Sequence, residues 1–379
     1  MTPRTRRLYL ELISGERRGM LAGVARAGLS LAAVFYALAV QLRNTWYRLA
    51  PGAVKQAARP VISVGNITTG GTGKTPMVVW LARRLAEQEL RVGILTRGYR
   101  GRAVHFADES RDQAASHWRV EADEATLISR LCPRATVIID PDRAAGAARA
   151  VWRGADVLLL DDGFQHRRLA RDLDIVLVDA TSAFGFGRAL PRGLLREPLW
   201  SLRRADLIVL TRVDLVSDEK RARLLDALRQ MSGGRPVLSA RHRLCGFTDV
   251  KGRSVADLDL RAMQAVVFAG LGNFAAFPAG LARLGVTVIA AYEYPDHHDY
   301  SDEEIAQLVD VAANHEANAL VTTEKDAVKL VGRWPEGGVP LLAARVEIEF
   351  EPADEAVLAS ALARVAGGRR ARMKVEAST

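Results

Sequence analysis

The chain has 379 residues, 49% of them hydrophobic and 26% charged, which excludes a disordered polymer and is too long for one ordinary core, so two domains are expected. Two cysteines, Cys132 and Cys245, are too few for a disulfide scaffold or a zinc ribbon and fit a reducing, cytoplasmic compartment. The net charge of +9 is uneven: residues 1–60 hold ten Lys/Arg against two acids, which points to an anionic membrane surface rather than to nucleic acid.

The first expected element is a helix over residues 19–45. Leu21, Val24, Gly28, Leu31, Phe35, Leu38 and Leu42 recur at spacings of three and four and form one apolar stripe. Leu29, Ala33, Tyr36 and Val40 widen it. The uncharged run from Ala27 to Leu42 is sixteen residues, short of the roughly 20 that a span needs. Flanking arginines, with Trp46 and Tyr47 at one end, suit the headgroup level. A helix lying in or dipping into one leaflet is expected. A buried core helix, an oligomer interface and a true span are the other readings.

Next, Val61 to Val64 reads as a buried strand, residues 65–75 as a glycine-rich turn, and Pro76 to Glu87 as a helix. Strand, glycine loop and helix is the setting of a P-loop. Thr68, Thr69, Gly70, Gly71, Thr72, Gly73, Lys74 and Thr75 are the nucleotide-binding candidates. The glycines let N–H groups turn toward phosphate, and the helix N-terminus adds positive potential. Lys74 would reach the outer phosphates, and the Thr75 hydroxyl would ligate Mg²⁺. The usual pattern places its first glycine where Thr68 stands; here a glycine stands at Gly65 instead.

Val157-Leu-Leu-Leu-Asp-Asp162 reads as a buried strand ending in acids that can hold Mg²⁺. One of Asp161 and Asp162 could instead cap the next helix. Further strands are expected at Val92–Leu95, Asp174–Asp179 and Asp206–Thr211. Beyond a composition shift at residues 236–256, strands are expected at Ala265–Ala269, Val286–Ala290, Ala319–Thr322 and Val339–Ala344, with helices at 274–284 and 302–315.

The fold expected is α/β: a P-loop parallel-sheet domain (51–240), a second, smaller α/β domain with linker strands (241–366), an N-terminal membrane-associated helix packed on the P-loop domain (1–50), and a mobile charged tail (367–379).

Several motifs fall in order along the chain. They are Gly65-Asn66, Thr69-Gly-Gly-Thr-Gly-Lys-Thr-Pro76, Leu95-Thr-Arg-Gly-Tyr-Arg100, Asp161-Asp-Gly-Phe-Gln-His166, Arg196-Glu197-Pro198, Asp296-His-His298 and Thr322-Thr-Glu-Lys-Asp326. With them the chain resembles the tetraacyldisaccharide 4′-kinase (lipid A 4′-kinase) family of P-loop NTPases.

The resemblance implies ATP and Mg²⁺ as cofactors, and γ-phosphate transfer to the 4′-hydroxyl of a tetraacyldisaccharide 1-phosphate, giving lipid IVA. It also implies residence on the cytoplasmic face of the inner membrane, with no nucleic-acid partner. The family's Gly-Asp-Glu-Pro motif stands here as Glu121-Ala122-Asp123-Glu124-Ala125, so Asp123 takes the role of base. His297 becomes its partner, with His298 less favoured, and Glu197 joins Asp161 and Asp162 at the metal. A carboxylate can accept the hydroxyl proton, and a neighbouring histidine can orient it. Arg97, Arg100, Arg192 and Arg196 are candidates for the 1-phosphate. Asn66, Tyr99, Gln165 and His166 complete the expected substrate contacts. The site would then lie in a cleft between the domains, which closes over the reactants.

Two rivals differ in class. A regulatory GTPase or metal-chaperone NTPase draws on Thr211-Arg-Val-Asp214, which sits where a guanine-reading N-K-x-D would, but lacks its Asn and Lys. A non-catalytic membrane module is disfavoured by the intact Lys74, Thr75, Asp161 and Asp162.

Overall fold

The structure is a computed structural model, and it describes residues 3–97, 104–105, 123–272, 274–335 and 337–376. The chain opens with α1 (Pro3–Ser14) and α2 (Met20–Leu49). It continues through β1 (Val61–Asn66), α3 (Lys74–Glu87), β2 (Val92–Thr96), β3 (Val104–His105), α4 (Asp123–Leu131), β4 (Thr136–Ile139), α5 (Arg143–Trp152), β5 (Val157–Asp161), β6 (Leu173–Asp179), β7 (Leu207–Thr211) and α6 (Asp218–Ser232). The long β8 (Val237–Asp249) and short β9 (Ser254–Val255) lead to β10 (Gln264–Ala269), α7 (Ala276–Arg283), β11 (Thr287–Glu293), α8 (Asp302–Asn314), β12 (Ala319–Thr323), α9 (Glu324–Leu330), β13 (Leu341–Phe350) and α10 (Pro352–Glu376).

One sheet runs through the molecule in the order β11-β10-β12-β13-β8-β7-β6-β1-β5-β2-β4-β3, with β9 on β8. Strands β1, β2, β5, β6 and β7 are buried along their whole length. Helices cover both faces of such strands, which is why they read as continuous apolar runs. Strand β8 changes partner midway. Val237 to Ser239 pair in parallel with β7, and Ala240 to Asp249 pair antiparallel with β13. This two-stranded ribbon joins a first lobe (β1–β7) to a second (β10–β12).

Helix starts follow local chemistry. Asp142 caps α5 through Ala144 and Ala145, and Ser301 with Glu304 forms a reciprocal capping box on α8. Each such cap contributes about 1 kcal/mol.

The end of the chain differs from expectation. Leu358, Ala361 and Leu362 of α10 bury in the cluster that holds Met77, Leu81 and Leu85 of α3. The last helix of the expected 241–366 unit therefore lies on the first lobe, because its apolar face finds cover there. Residues 367–376, expected as a mobile tail, continue α10 to Glu376.

Helix α2 docks by its narrow face. Ala22, Ala33, Val40 and Asn44 are buried, and the Tyr36 hydroxyl donates to the Arg196 carbonyl at 2.9 Å. The stripe read from the sequence points the other way. Leu21 is 84% exposed and Leu42 70%, with Val24, Leu31, Phe35 and Leu38 exposed between them. Among the described residues, α2 is the one helix long and apolar enough to cross a membrane.

Candidate active site

The loop between β1 and α3 carries the phosphate-binding geometry. Gly70 and Gly73 adopt φ of +118° and +92°, the left-handed region that glycine enters freely. Asn66 braces the turn: its Nδ2 donates to Thr72 Oγ1 at 3.0 Å and to the Gly70 carbonyl at 3.4 Å. From the next strands, Thr211 Oγ1 donates to the Thr72 carbonyl at 3.0 Å. Thr69 to Thr75 line a cleft of about 1590 Å³ that is walled by both lobes.

The displaced glycine has a packing cause. A Cβ on Gly65 would lie 2.5 Å from the Phe164 Cβ and 2.6 Å from its backbone nitrogen. The turn after β5 crosses β1 there, so Gly65 serves that crossing and not the phosphate loop.

The acid pair at the end of β5 splits into two roles. Asp162 is held in the left-handed region (φ 52°) by Arg196, whose Nη1 lies 2.8 and 3.0 Å from its two oxygens, and its Oδ1 is 3.6 Å from Lys74 Nζ. Burial works against ionisation, but Lys74 and Arg196 hold this carboxyl below its ordinary value. Asp161 faces the reverse balance. Burial and then Glu124 push it up to about 7, against the pull of Lys74 and Arg143. Its Oδ1 is buried without a hydrogen-bond partner, and its Oδ2 accepts from Thr96 Oγ1 at 3.5 Å. An orphaned carboxylate oxygen in a cleft that Thr75 also lines suits Mg²⁺, which takes one or two protein oxygens and completes its shell with phosphate and water.

The opposite wall comes from the second lobe. His297 Nε2 stands 3.9 Å from Glu124 Oε1 on α4 and 3.2 Å from Lys325 Nζ on α9. His298 turns away: its Nε2 meets Glu304 at 2.9 Å, and its ring packs between Tyr294 and Tyr300. Both histidines line the cleft, and of the two it is His297 whose Nε2 points toward α4. Asp123 is the first residue of α4, and its side chain lies outside the described residues.

Other expectations change. Glu197, expected at the metal, is wholly buried beneath α2. It accepts from Arg43 (3.2 Å), Asn44 (2.9 Å) and Arg204 (2.7 Å), which leaves it no face toward the cleft. His166, expected at the substrate, does not line the cleft, and burial beside Arg143 and Arg171 pushes it down to about 4. Asn66 and Thr68 sit behind the loop, fully or nearly buried, and neither lines the cleft. Gln165 bridges the Asn66 carbonyl (2.8 Å) and Arg196 (3.1 Å), again as a brace. Arg192 donates to the Ile13 carbonyl at 2.6 Å and so anchors α1. Arg97 is exposed on the cleft wall. Tyr99 and Arg100 lie outside the described residues.

Sequence reasoning missed Arg143, whose guanidinium donates to the Asp140 and Asp161 carbonyls at 2.7 and 3.3 Å behind the acid pair. Its only sequence signal is its place just after a helix-capping Asp. Lys325 stood inside a quoted motif without a role.

A glycine loop on a helix N-terminus, a lysine against an acid pair, and a second lobe carrying a histidine define a P-loop phosphotransferase. The protein-family model described as "Tetraacyldisaccharide-1-P 4'-kinase" matches residues 25–365, and the chain belongs to that family. Tetraacyldisaccharide 4′-kinases of an Anaeromyxobacter species (strain Fw109-5) and of Geobacter sulfurreducens are 41% and 38% identical to it. The matches cover 83% and 94% of this chain, and 85% and 98% of theirs. LpxK from Aquifex aeolicus, crystallised with ATP, superposes with a TM-score of 0.71 at 30% identity, over 90% of this chain and 99% of that one. The activity is ATP-dependent phosphorylation of the 4′-position of the tetraacyldisaccharide 1-phosphate, a step of lipid A biosynthesis.

Proposed function

We propose that this reaction runs at the mouth of the cleft between Lys74 and His297, with the acceptor lipid delivered from the cytoplasmic leaflet of the inner membrane. Lys74 and the N-terminus of α3 hold the outer phosphates of ATP. Asp161 and Thr75 hold Mg²⁺, which when bound offsets charge on the β- and γ-phosphates. Asp162, tied to Lys74 and Arg196, orients the lysine. The 4′-oxygen bonds to the γ-phosphorus as the bond to ADP breaks, and Asp123 accepts the hydroxyl proton. His297 orients that carboxylate. Of the arginines the sequence singled out for the 1-phosphate, Arg97 is exposed on the cleft wall and is assigned that contact. The outward stripe of α2, flanked by arginines, lies in the leaflet and brings the cleft to the lipid.

The observation that carries this reading is the approach of His297 to Glu124, the neighbour of Asp123, at 3.9 Å across the cleft. The test uses γ-labelled ATP and a lipid A disaccharide 1-phosphate in detergent micelles. Label passes to the lipid with the native chain. Asp123→Ala and His297→Ala lose it by roughly a hundredfold or more, with ATP still bound, and Lys74→Ala loses it together with productive nucleotide. Full transfer by Asp123→Ala would remove the base from Asp123.

A further inference from the structure

Helix α9 presents two lysines, one turn apart, to the loop that carries His297. Its first turn is pinned. Asp326 is wholly buried and accepts from the Gly270 N–H at 3.0 Å and from the Thr323 hydroxyl at 2.8 Å. Lys329 Nζ then donates to the His298 carbonyl at 2.9 Å. Lys325 Nζ lies 2.8 Å from Asp296 Oδ1, 3.2 Å from His297 Nε2 and 3.7 Å from Glu124 Oε1. His297 adopts φ of +60°, a conformation that a histidine keeps only where its surroundings impose it.

An ammonium has three donors and no acceptor. The Nζ–Nε2 contact therefore takes the lone pair of Nε2, and the ring proton sits on Nδ1. Burial would favour a neutral Lys325, but Asp296 and Glu124 outweigh it and raise the amine above its ordinary value, so the donor is charged. The same ammonium reaches Glu124, so it also links the second lobe to the head of α4.

We infer that Lys325 is a positioning residue for phosphoryl transfer: it fixes the Nδ1–H tautomer of His297 and holds the His297 loop against Glu124 at the start of α4. The inference rests on the reading of Asp123 and His297 given above. Without Lys325 the Nζ–Nε2 contact no longer keeps the ring proton on Nδ1, and the His297 loop loses its tie to Glu124.

The test is histidine ¹⁵N NMR of the full chain together with kinetics. The native protein should show His297, assigned by loss of its signals in His297→Ala, as the Nδ1–H tautomer. In Lys325→Met the signal should move to the Nε2–H tautomer or to a mixture. The kcat should fall on the order of tenfold to a hundredfold, with KM for ATP within about twofold. Lys325→Arg keeps a charged donor, so it should retain the native tautomer and more of the kcat; it also serves if the methionine variant does not fold. An unchanged tautomer in Lys325→Met, or a kcat within about twofold of native, would overturn the assignment. Full activity in His297→Ala would instead overturn the underlying role of His297, and so distinguishes the two failures.

Discussion

Gly65 and Phe164 pack backbone against backbone, so closely that a Cβ on Gly65 would sit 2.5 Å from that of Phe164. This contact sets the end of β1, where the phosphate loop begins, against the turn that carries Asp161 and Asp162. Gly65→Ala should force the two segments apart. A loss of about 1–3 kcal/mol in stability is expected, read as a lower denaturation midpoint, together with a fall in kcat. A variant as stable and active as the native chain would show that the turn can shift freely.

Gly73 meets a second constraint. Its φ is +92°, and a Cβ there would lie 2.4 Å from the His242 ring. Gly73→Ala should abolish ATP binding measured by calorimetry. Adding His242→Ala removes the clash but not the backbone strain, so binding should return only in part. Full recovery in the double variant would make the imidazole the sole obstacle.

Glu197 offers a test of role. Its side chain is buried among Arg43, Asn44 and Arg204. Removing one partner of a buried ion cluster costs about 3–5 kcal/mol, so Glu197→Gln should lower the melting temperature markedly. The Mg²⁺ dependence of the remaining activity should be unchanged. A raised Mg²⁺ requirement would return Glu197 to the metal. Despite burial, Arg204 and Asn44 hold this carboxyl below its ordinary value. Its contribution is therefore complete above the ordinary carboxylate range and lost as pH falls through the lowered value. Glu197→Gln should accordingly show a shallower acid loss of stability than the native chain.

His242 titrates with the same sign from a different cause. Burial, reinforced by Arg212, pushes it down to about 3, and its Nε2 is closed off without a partner. The unfolded chain binds a proton near pH 6.5 that the folded chain refuses. Stability from a neutral His242 is thus complete above about pH 6.5 and declines toward pH 3. Thermal melts between pH 7 and 4 should fall less steeply in His242→Asn. Parallel curves would mean that the imidazole is already solvated.

The outward stripe of α2 sets a surface prediction. Leu31→Glu with Phe35→Glu should weaken cosedimentation with anionic vesicles by roughly tenfold or more, while activity on a detergent-dispersed acceptor stays near native. High salt should weaken the native interaction too, because the flanking arginines act through screened charge. Undiminished vesicle binding by the double variant would move the contact elsewhere.

Strands β1, β2, β5, β6 and β7 were legible in the sequence because parallel strands buried on both faces are unbroken apolar runs, with glycine, lysine and acids at their ends, whereas β4, α5 and α6 were not read from it. Local spacing also announced the stripe on α2, but not its direction. Either a buried or an exposed stripe obeys the same periodicity. Only tertiary packing decided that small residues Ala22 and Ala33 face the protein while Leu21 and Leu42 face outward. The motif Arg196-Glu197 looked like one unit; the fold sends Arg196 to Asp162 and Glu197 beneath α2. His297 and His298 were likewise indistinguishable in chemistry until Glu304 and two tyrosines claimed His298. The sequence by itself determined which groups can bind phosphate, metal and proton, since that depends on residue type and local turn. Which of them meet was decided by the β8–β13 ribbon, which brings Glu124 and Lys325, some two hundred residues apart, to within 3.7 Å. Such contacts depend on long-range packing, which local pattern does not encode.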